Sequence, residues 1–376
     1  MSDIFKGLQL RSTIKASGEL LIDLAEVEVG EPGAQEVIVQ VEATPINPSD
    51  LLLLLGPAEP SSICASSHGG RPALRGQVAA GALASVAARI GQPLVPGNEG
   101  AGRVVAAGSE VRALVGQRVG MRGGGMYTQY RKVPVHDCMV LPEGASCADG
   151  ASMFINPLTA LGFIETMRME RHEALIHFAA ASNLGRMLNK ICMAEKIPLV
   201  NVVRTADQAA LLADDGASCI LNSSLPDFEA SLIEAVTKTG ATLCFDPIGG
   251  GRQANIALAA MEASAAKSVK EYDRYGTDVF KQVYVYGLLD RTPTVLDRWV
   301  GFAWSVSGWL LTHRLRQFGA ERAAALRRRV VEELQTTFKS QYTRTLTLRE
   351  ALSPEIALAY NRKATGEKYL ITPHIE

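Results

Sequence analysis

Residues 174–204 of the 376-residue chain read ALIHFAAASNLGRMLNKICMAEKIPLVNVVR. The stretch opens on a short apolar strand, Ala174–Phe178, and passes through a turn of small residues. A helical pattern follows over Gly185–Lys196, and a second apolar strand over Pro198–Val203. A strand, a small-residue turn and a helix in this order place a dinucleotide pyrophosphate over amide groups at the helix N-terminus. The stretch therefore predicts a βαβ unit that binds a dinucleotide.

The turn and the end of the second strand indicate which dinucleotide is bound. Gly185 stands where helix and strand pack closely, and Ser182 stands where the usual fingerprint has glycine. An NAD-selective site has Asp or Glu at the end of the second strand, bonded to the ribose 2′-hydroxyl. This chain has Arg204 there, followed by Thr205. Because a guanidinium makes two parallel charge-assisted bonds to a phosphate, the sequence predicts NADPH; a surface arginine at a strand end is the alternative.

Strand and helix patterns alternate through the rest of this region. Strand candidates recur at Ser218–Leu221, Thr242–Phe245 and Val283–Tyr286, and they are separated by the helical patterns Phe228–Thr239 and Arg252–Lys267. Such alternation predicts an α/β domain with a doubly wound parallel sheet covered on both faces. Residues 20–140 instead consist of short strands interrupted by Gly and Pro, which predicts a compact antiparallel β unit.

Two segments do not follow this plan. Residues 59–92 run from a Ser- and Gly-rich stretch into an Ala-rich helix candidate, Gln77–Ile90, and residues 264–278 are polar and charged. Loops of this length inside compact folds tend to be lids, binding loops or disordered segments. We expect substrate choice to depend on them.

Charge and composition exclude several classes of protein. With 38 Lys+Arg against 39 Asp+Glu, the chain has no basic field that would attract nucleic acid. The longest apolar runs, 51–55 and 301–311, are shorter than the about 20 residues of a membrane-spanning helix. The first residues lack the apolar core of a signal peptide, and the six cysteines lack zinc-finger spacing. We expect a cytoplasmic protein with no metal and no membrane or nucleic-acid partner.

Six motifs occur in a fixed order along most of the chain. They are EATPINPSD (42–50), PGNEGAGRVVAAGSEV (96–111), VGQRVG (115–120), NPLTA (156–160), AAASNLG (179–185) and DPIGG (246–250). In these motifs the chain resembles the medium-chain dehydrogenase/reductase superfamily. The resemblance implies a GroES-like catalytic β domain over 1–155 and 316–376 and a Rossmann NADPH-binding domain over 156–315. It also implies a nicotinamide in the cleft between the domains, and a homodimer.

Within that superfamily the chain resembles the zinc-free branches, namely quinone oxidoreductases and 2-enoyl thioester reductases. Asn98 occupies the position of the zinc-binding His of the alcohol dehydrogenases, and the four-cysteine zinc lobe is absent. One feature departs from the enoyl reductases, which carry a tyrosine shortly after the NPSD motif. No tyrosine lies between Asp50 and Tyr127 here, so either His68 or a serine of the extra loop supplies the acid, or the substrate needs none.

The resemblance also implies the site residues. Asn47 is the predicted catalytic residue, organising nicotinamide and substrate, with a turn-forming Asn before Pro48 as the alternative. Lys368 lies in GEKYLITP, a segment that often reaches the cofactor in this superfamily, with a solvated lysine as the alternative. The predicted cofactor-binding residues are Asn47, Asn156, Thr159, Ala181, Ser182, Asn183, Leu184, Gly185, Arg204, Thr205, Pro247, Tyr286, Gly287 and Lys368.

These residues support an NADPH-dependent, zinc-independent oxidoreductase that transfers a hydride to a small quinone or an activated C=C bond. A 2-enoyl thioester reductase acting on acyl-CoA or acyl carrier protein is one alternative. An NADPH-binding sensor without catalysis is the other, because the tyrosine is missing. A zinc alcohol dehydrogenase is disfavoured by Asn98.

Overall fold

The computed structural model describes residues 4–297 and 299–375, and these form two compact units. Unit 1 comprises residues 1–155 and 329–376, and unit 2 comprises residues 156–328. The strands are β1 (Phe5–Ile14), β2 (Glu19–Val29), β3 (Glu36–Pro45), β4 (Cys64–His68), β5 (Arg71–Gln77), β6 (Glu99–Ala107), β7 (Arg118–Arg122), β8 (Tyr130–Pro134), β9 (Cys138–Val140), β10 (Leu175–Phe178), β11 (Leu199–Val203), β12 (Ile220–Asn222), β13 (Leu243–Asp246), β14 (Lys281–Val285), β15 (Trp304–Gly308), β16 (Arg344–Leu346) and β17 (Tyr369–Ile371). The helices are α1 (Leu51–Leu54), α2 (Cys147–Gly150), α3 (Ile155–Met169), α4 (Asn183–Glu195), α5 (Ala206–Asp214), α6 (Phe228–Thr239), α7 (Gln253–Ala266), α8 (Leu311–Phe318), α9 (Ala320–Glu332) and α10 (Pro354–Asn361).

Unit 2 contains the predicted doubly wound sheet. Its six strands pair in parallel in the order β12-β11-β10-β13-β14-β15. Successive strands are added outward on one side of β10 and then, starting with β13, on its other side, so the strand order reverses between β10 and β13. Side chains alternate across the strands: Ile176 packs in the core that α6 and α7 cover, and His177 faces Phe163 of α3. Both faces are therefore covered, which is why the central strands β10, β11 and β13 are largely apolar and fully buried.

Unit 1 is built mainly from antiparallel strands, as the sequence predicts, and the pair β16 and β17 is parallel. One sheet has the order β1-β2-β5-β4, and the other has the order β16-β17-β3-β6-β7-β9 with β8 also paired to β3. The chain's last strand, β17, pairs with β3 near Thr44 and Pro45. Residues from opposite ends of the sequence thus lie together where β3 ends.

The first extra segment differs from its prediction. Residues 64–77 form a hairpin, β4 and β5, that widens the sheet of β1 and β2. The expected helix over Gln77–Ile90 is wrong: residues 80–89 form successive 3-10 turns. These turns are fixed by Arg89, whose guanidinium donates to the Leu53 carbonyl at 2.9 Å and to Ser12 Oγ at 2.9 Å. Tertiary contacts thus outweigh the helical propensity of an Ala-rich stretch.

The second extra segment and the following helices belong to unit 2. After α7, Thr277 donates its backbone amide to Glu262 at 2.8 Å, which ties the polar segment to that helix. The second boundary was predicted at residue 315, whereas contacts divide the chain at Arg328. The difference has a physical cause, because Arg322 of α9 bonds Glu165 of α3 at 2.6 Å. Among the residues described, no helix is long and apolar enough to span a bilayer.

Candidate active site

The predicted dinucleotide turn lies between β10 and α4. Ser182 caps α4, its Oγ accepting the amide of Gly185 at 3.1 Å. A Cβ added to Gly185 would lie 2.1 Å from the carbonyl oxygen of Ala180, so only glycine allows the helix to approach the strand this closely. Ala179 adopts φ 50°, a conformation that favours glycine. Ala181, Ser182, Asn183, Leu184 and Gly185 thus form the tight strand-to-helix turn that binding a pyrophosphate requires.

Arg204 and Thr205 lie beyond the end of the neighbouring strand β11. Arg204 is exposed, and its backbone amide donates to Gln208 Oε1 at 2.9 Å. Thr205 caps α5, its Oγ1 accepting the amide of Gln208 at 3.3 Å. The guanidinium of Arg204 makes no ion pair with any described residue, so it remains available for an anion.

Pro247, Tyr286 and Gly287 lie at the same edge of the sheet, after β13 and β14. A Cβ on Gly287 would lie 2.4 Å from the carbonyl oxygen of Pro247, which places the two loops in close backbone contact. The Tyr286 hydroxyl lies 2.7 Å from His177 Nε2 and is committed to that contact. Burial lowers the pKa of His177 to about 3, so this imidazole stays neutral and the pair is a polar contact within the core. The Tyr286 hydroxyl is therefore engaged in packing within unit 2.

Asn156 and Thr159 lie in the first turns of α3. Thr159 is buried, and Asn156 is half-buried. They share unit 2 with the turn residues, whereas Asn47 and Lys368 belong to unit 1. The predicted residues therefore form two groups.

A cavity of about 380 Å³ opens at the carboxyl end of the unit 2 sheet. This edge, close to the reversal of strand order, is where doubly wound folds bind ligands. Two of its lining residues belong to or adjoin the motifs of the sequence: Ile248 lies within DPIGG, and Phe178 directly precedes AAASNLG. The lining residues are Phe178, Ser223, Leu225, Pro226, Phe228, Glu229, Ile248, Gln253 and Ile256.

In unit 1, a buried carboxylate organises the NPSD turn that contains Asn47. Asp50 Oδ2 accepts the Asn47 amide at 2.8 Å and the Tyr127 hydroxyl at 3.3 Å, while Oδ1 accepts the Asn98 amide at 2.9 Å. Burial raises the pKa of Asp50 to about 7, although these amide bonds favour the charged form and act to lower it. Asn47 thus does form the turn before Pro48 that is the alternative to a catalytic role. Its side chain makes a separate contact.

The Asn47 side chain bonds to a second buried carboxylate, Glu99 of β6. Asn47 Nδ2 donates to Glu99 Oε1 at 2.8 Å, and Glu99 Oε2 accepts the amides of Phe154 at 2.9 Å and Ile155 at 2.8 Å. Glu99 is fully buried, and this burial raises the pKa of its carboxyl. The carboxylate fixes the Asn47 amide so that its oxygen is directed away from Glu99.

Lys368 is the cation of this cluster. Its side chain is buried and not solvated, with 9% of the residue exposed, and Nζ has no hydrogen-bond partner among the described residues. Nζ lies 5.5 Å from the centre of the Tyr342 ring, whose hydroxyl is 2.7 Å from Ser152 Oγ. Burial lowers the pKa of Lys368 to about 8, against the attraction of Glu99 and Asp50. The structure therefore places Asn47 and Lys368 around one pair of buried acids.

Sequence reasoning missed Asp50, Glu99 and Tyr342 as members of this cluster. Asp50 and Glu99 lie inside the quoted motifs NPSD and GNEG, and an acid within otherwise apolar surroundings was the available signal. Asn98 donates its side-chain amide to Ser49 Oγ at 3.0 Å. Within residues 4–297 and 299–375, no three His, Cys, Asp or Glu side chains group so as to hold a metal ion.

Comparison with known proteins agrees with this architecture. Residues 33–143 match the alcohol dehydrogenase GroES-like domain. The chain is 27% identical over 199 residues to a mitochondrial enoyl-[acyl-carrier-protein] reductase of Caenorhabditis elegans. The aligned residues make up 52% of this chain and 49% of that protein. The matched region thus spans about half the length of this curated relative.

Solved structures match over nearly the whole chain. A putative NADPH:quinone reductase from Mesorhizobium loti superimposes with a TM-score of 0.70 and 24% identity, covering 99% of both chains. The Escherichia coli quinone oxidoreductase complexed with NADPH gives a TM-score of 0.65 and 18% identity, covering 98% of this chain and 100% of that one. At these identities the likeness concerns the fold. With the GroES-like match, it confirms the fold and the resemblance to the medium-chain dehydrogenase/reductase superfamily.

Proposed function

We propose that the protein is an NADPH-dependent, zinc-independent oxidoreductase that reduces a small quinone or an activated C=C bond. The observation that carries the proposal is the β10–α4 turn, closed around Gly185, together with the exposed Arg204 guanidinium at the end of β11, which forms no ion pair with a described residue. Relatives with related names, a quinone oxidoreductase complexed with NADPH and an enoyl reductase, support it. NADPH, when bound, supplies the hydride.

Each group of residues has a part in this proposal. In unit 2 the turn around Ser182 and Gly185 holds the pyrophosphate, Arg204 and Thr205 hold the 2′-phosphate, and the backbone of Pro247 and Gly287 adjoins the rest of the dinucleotide. We further propose that Asn156 and Thr159 contact the nicotinamide side of the cofactor. In unit 1 Asn47 is the proposed catalytic residue, because Glu99 holds its side-chain amide in a fixed orientation.

Replacing Arg204 tests the cofactor assignment. Arg204→Ala should raise the NADPH dissociation constant about 10- to 150-fold, the scale of a hydrogen bond to a charged group, and leave NADH affinity unchanged. Arg328→Ala, which removes an exposed arginine of α9, is the matched control and should change neither. Both constants come from nicotinamide fluorescence titrations. Equal NADPH and NADH affinity in the unmodified protein would contradict the assignment.

The named enoyl reductase relatives favour a second candidate function, reduction of a 2-enoyl thioester. Steady-state NADPH oxidation with crotonyl-CoA, a panel of quinones and a panel of enones separates the candidates. A crotonyl-CoA rate comparable with the best quinone favours the thioester reductase. Tight NADPH binding with no oxidation by any acceptor identifies a sensor. The homodimer that the resemblance implies is also a proposal, and light scattering on the purified chain tests it.

A further inference from the structure

Lys368 is buried, and its ammonium group makes no hydrogen bond to a described residue. An ammonium carries three N–H donors, and Nζ uses none of them on a described residue. Leaving a buried charged donor unpaired costs free energy, so unpaired groups of this kind mark places where a ligand, ion or water completes the bonding. Lys368 therefore points to a binding partner that the chain itself does not provide.

The two neighbouring acids do not fill this role. Glu99 accepts bonds on both oxygens, from Asn47 and from two backbone amides, and Asp50 accepts bonds on both oxygens as well. Neither carboxylate is bonded to Lys368, although both attract its charge. They hold a cation in the cluster while its donors stay available to a third group.

The buried tyrosines nearby are also committed. Tyr127 is fully buried with its hydroxyl bonded to Asp50 and to the Pro45 carbonyl, and Tyr342 pairs with Ser152. His68, considered above as a proton donor, lies on the exposed hairpin strand β4, with Nε2 3.6 Å from Asp23. Lys368, unlike Tyr127 and Tyr342, thus keeps N–H donors that no described residue accepts.

We infer that Lys368 is the catalytic acid of this enzyme, bonding the substrate oxygen that gains negative charge and protonating it. The inference rests on the proposed function. When a hydride adds to a quinone or enone, an electron pair moves to the carbonyl oxygen. One N–H bond of Lys368 then breaks as the O–H bond forms, leaving a neutral amine that takes a proton from water. A quinone becomes a hydroquinone, and an enone becomes an enol that tautomerises to the ketone.

The cluster is suited to this task. A general acid works best when its pKa lies near the operating pH, and the pKa of Lys368 is about 8. Glu99 and Asp50 keep the ammonium protonated near neutral pH in spite of its burial. The Tyr342 ring covers the ammonium without accepting its proton.

Two substitutions separate acid catalysis from charge alone. Lys368→Met removes both the positive charge and the proton that could be donated. Lys368→Arg keeps a positive charge, but its guanidinium does not release a proton at working pH. If Lys368 is the acid, both variants should lose about 100- to 10,000-fold in kcat. The loss should be larger for enones, whose enolates are strongly basic, than for electron-poor quinones. The resemblance implies that Lys368 binds the cofactor, whereas the inference assigns it to the substrate, so NADPH affinity of both variants should stay within threefold of the unmodified protein. The activity of the exposed-site control Lys339→Met should also stay within threefold.

Binding of 4-nitrophenol tests the same inference without turnover. The unmodified protein should bind the probe as its yellow phenolate at a pH below the probe's own pKa, and Lys368→Met should not. Three results would overturn the inference. They are full activity of Lys368→Arg, an equal loss of kcat for enones and quinones, and a raised NADPH dissociation constant together with an unchanged pH dependence of kcat. A probe that does not bind or that ionises equally on both proteins would overturn it as well. If no acceptor oxidises NADPH, the proposed function fails, and the nitrophenol measurement still reports on Lys368.

Discussion

Replacing Lys368 by methionine should make the folded protein more stable at neutral pH. The pKa of the amine is 10.5 in the unfolded chain and about 8 in the folded one, because burial disfavours the ammonium. Each unit of difference corresponds to about 1.4 kcal/mol, so the charged lysine costs the fold about 3 kcal/mol at pH 7. Methionine has similar length and carries no charge, so the variant should recover most of that free energy.

The pH dependence makes this prediction specific. The cost is fully present below pH 8 and is relieved as the pH rises towards 10.5, where the lysine is neutral in both states. The stability gain of Lys368→Met should therefore shrink by about 1.4 kcal/mol per pH unit above 8. Urea unfolding of the variant, the unmodified protein and the exposed-site control Lys339→Met at pH 7, 8, 9 and 10 measures it. A gain that does not change with pH, or a loss of stability at pH 7, would refute the reasoning.

Three further substitutions test the turn and the acids. Gly185→Ala places a methyl group 2.1 Å from a backbone oxygen of the same turn, so it should lower the free energy of unfolding by about 1–3 kcal/mol and weaken NADPH binding. Thermal unfolding measures the first effect, and the control Gly30→Ala, at an open position, should show neither. Glu99→Ala leaves three buried donors without their acceptor and should destabilise the protein by about 3 kcal/mol in urea; an unchanged midpoint would mean that water replaces the carboxylate. Tyr127→Phe removes a bond to the charged form of Asp50, so it should lower the free energy of unfolding by about 1–2 kcal/mol at pH 8 and by less at pH 5, where that acid is protonated. Equal losses of stability at both pH values would argue against a charged acceptor.

The sheet of unit 2 could be predicted from the sequence because its signals are local. Buried parallel strands are short apolar runs, and the turn at Gly185 needs small residues whatever surrounds it. The Ala-rich segment before Ile90 was mispredicted because its conformation depends on distant partners. Arg89 is held by Ser12 and Leu53, and no periodicity within the segment reports those contacts.

The cluster around Lys368 could be predicted only in part. Asn47 and Lys368 were found through a resemblance, but nothing in the sequence indicates that Asp50, Glu99 and Lys368 meet. They come together because β17 pairs with β3, which ends just before Asn47. The burial that shifts the pKa of each group is a property of the assembled unit, so only the structure reveals it.

The cluster lowers the stability of the fold that contains it. The raised pKa of Asp50 means that its charge becomes costly as the pH rises from 3.8 towards 7, and the lowered pKa of Lys368 means that its charge is costly below pH 8. An apolar core of the same volume would avoid both costs. Strained or destabilised groups of this kind are typical of active sites, where function opposes stability. A Lys368→Met protein that is both more stable and less active would show that this lysine is retained for chemistry; one that is more stable and fully active would show that it is not.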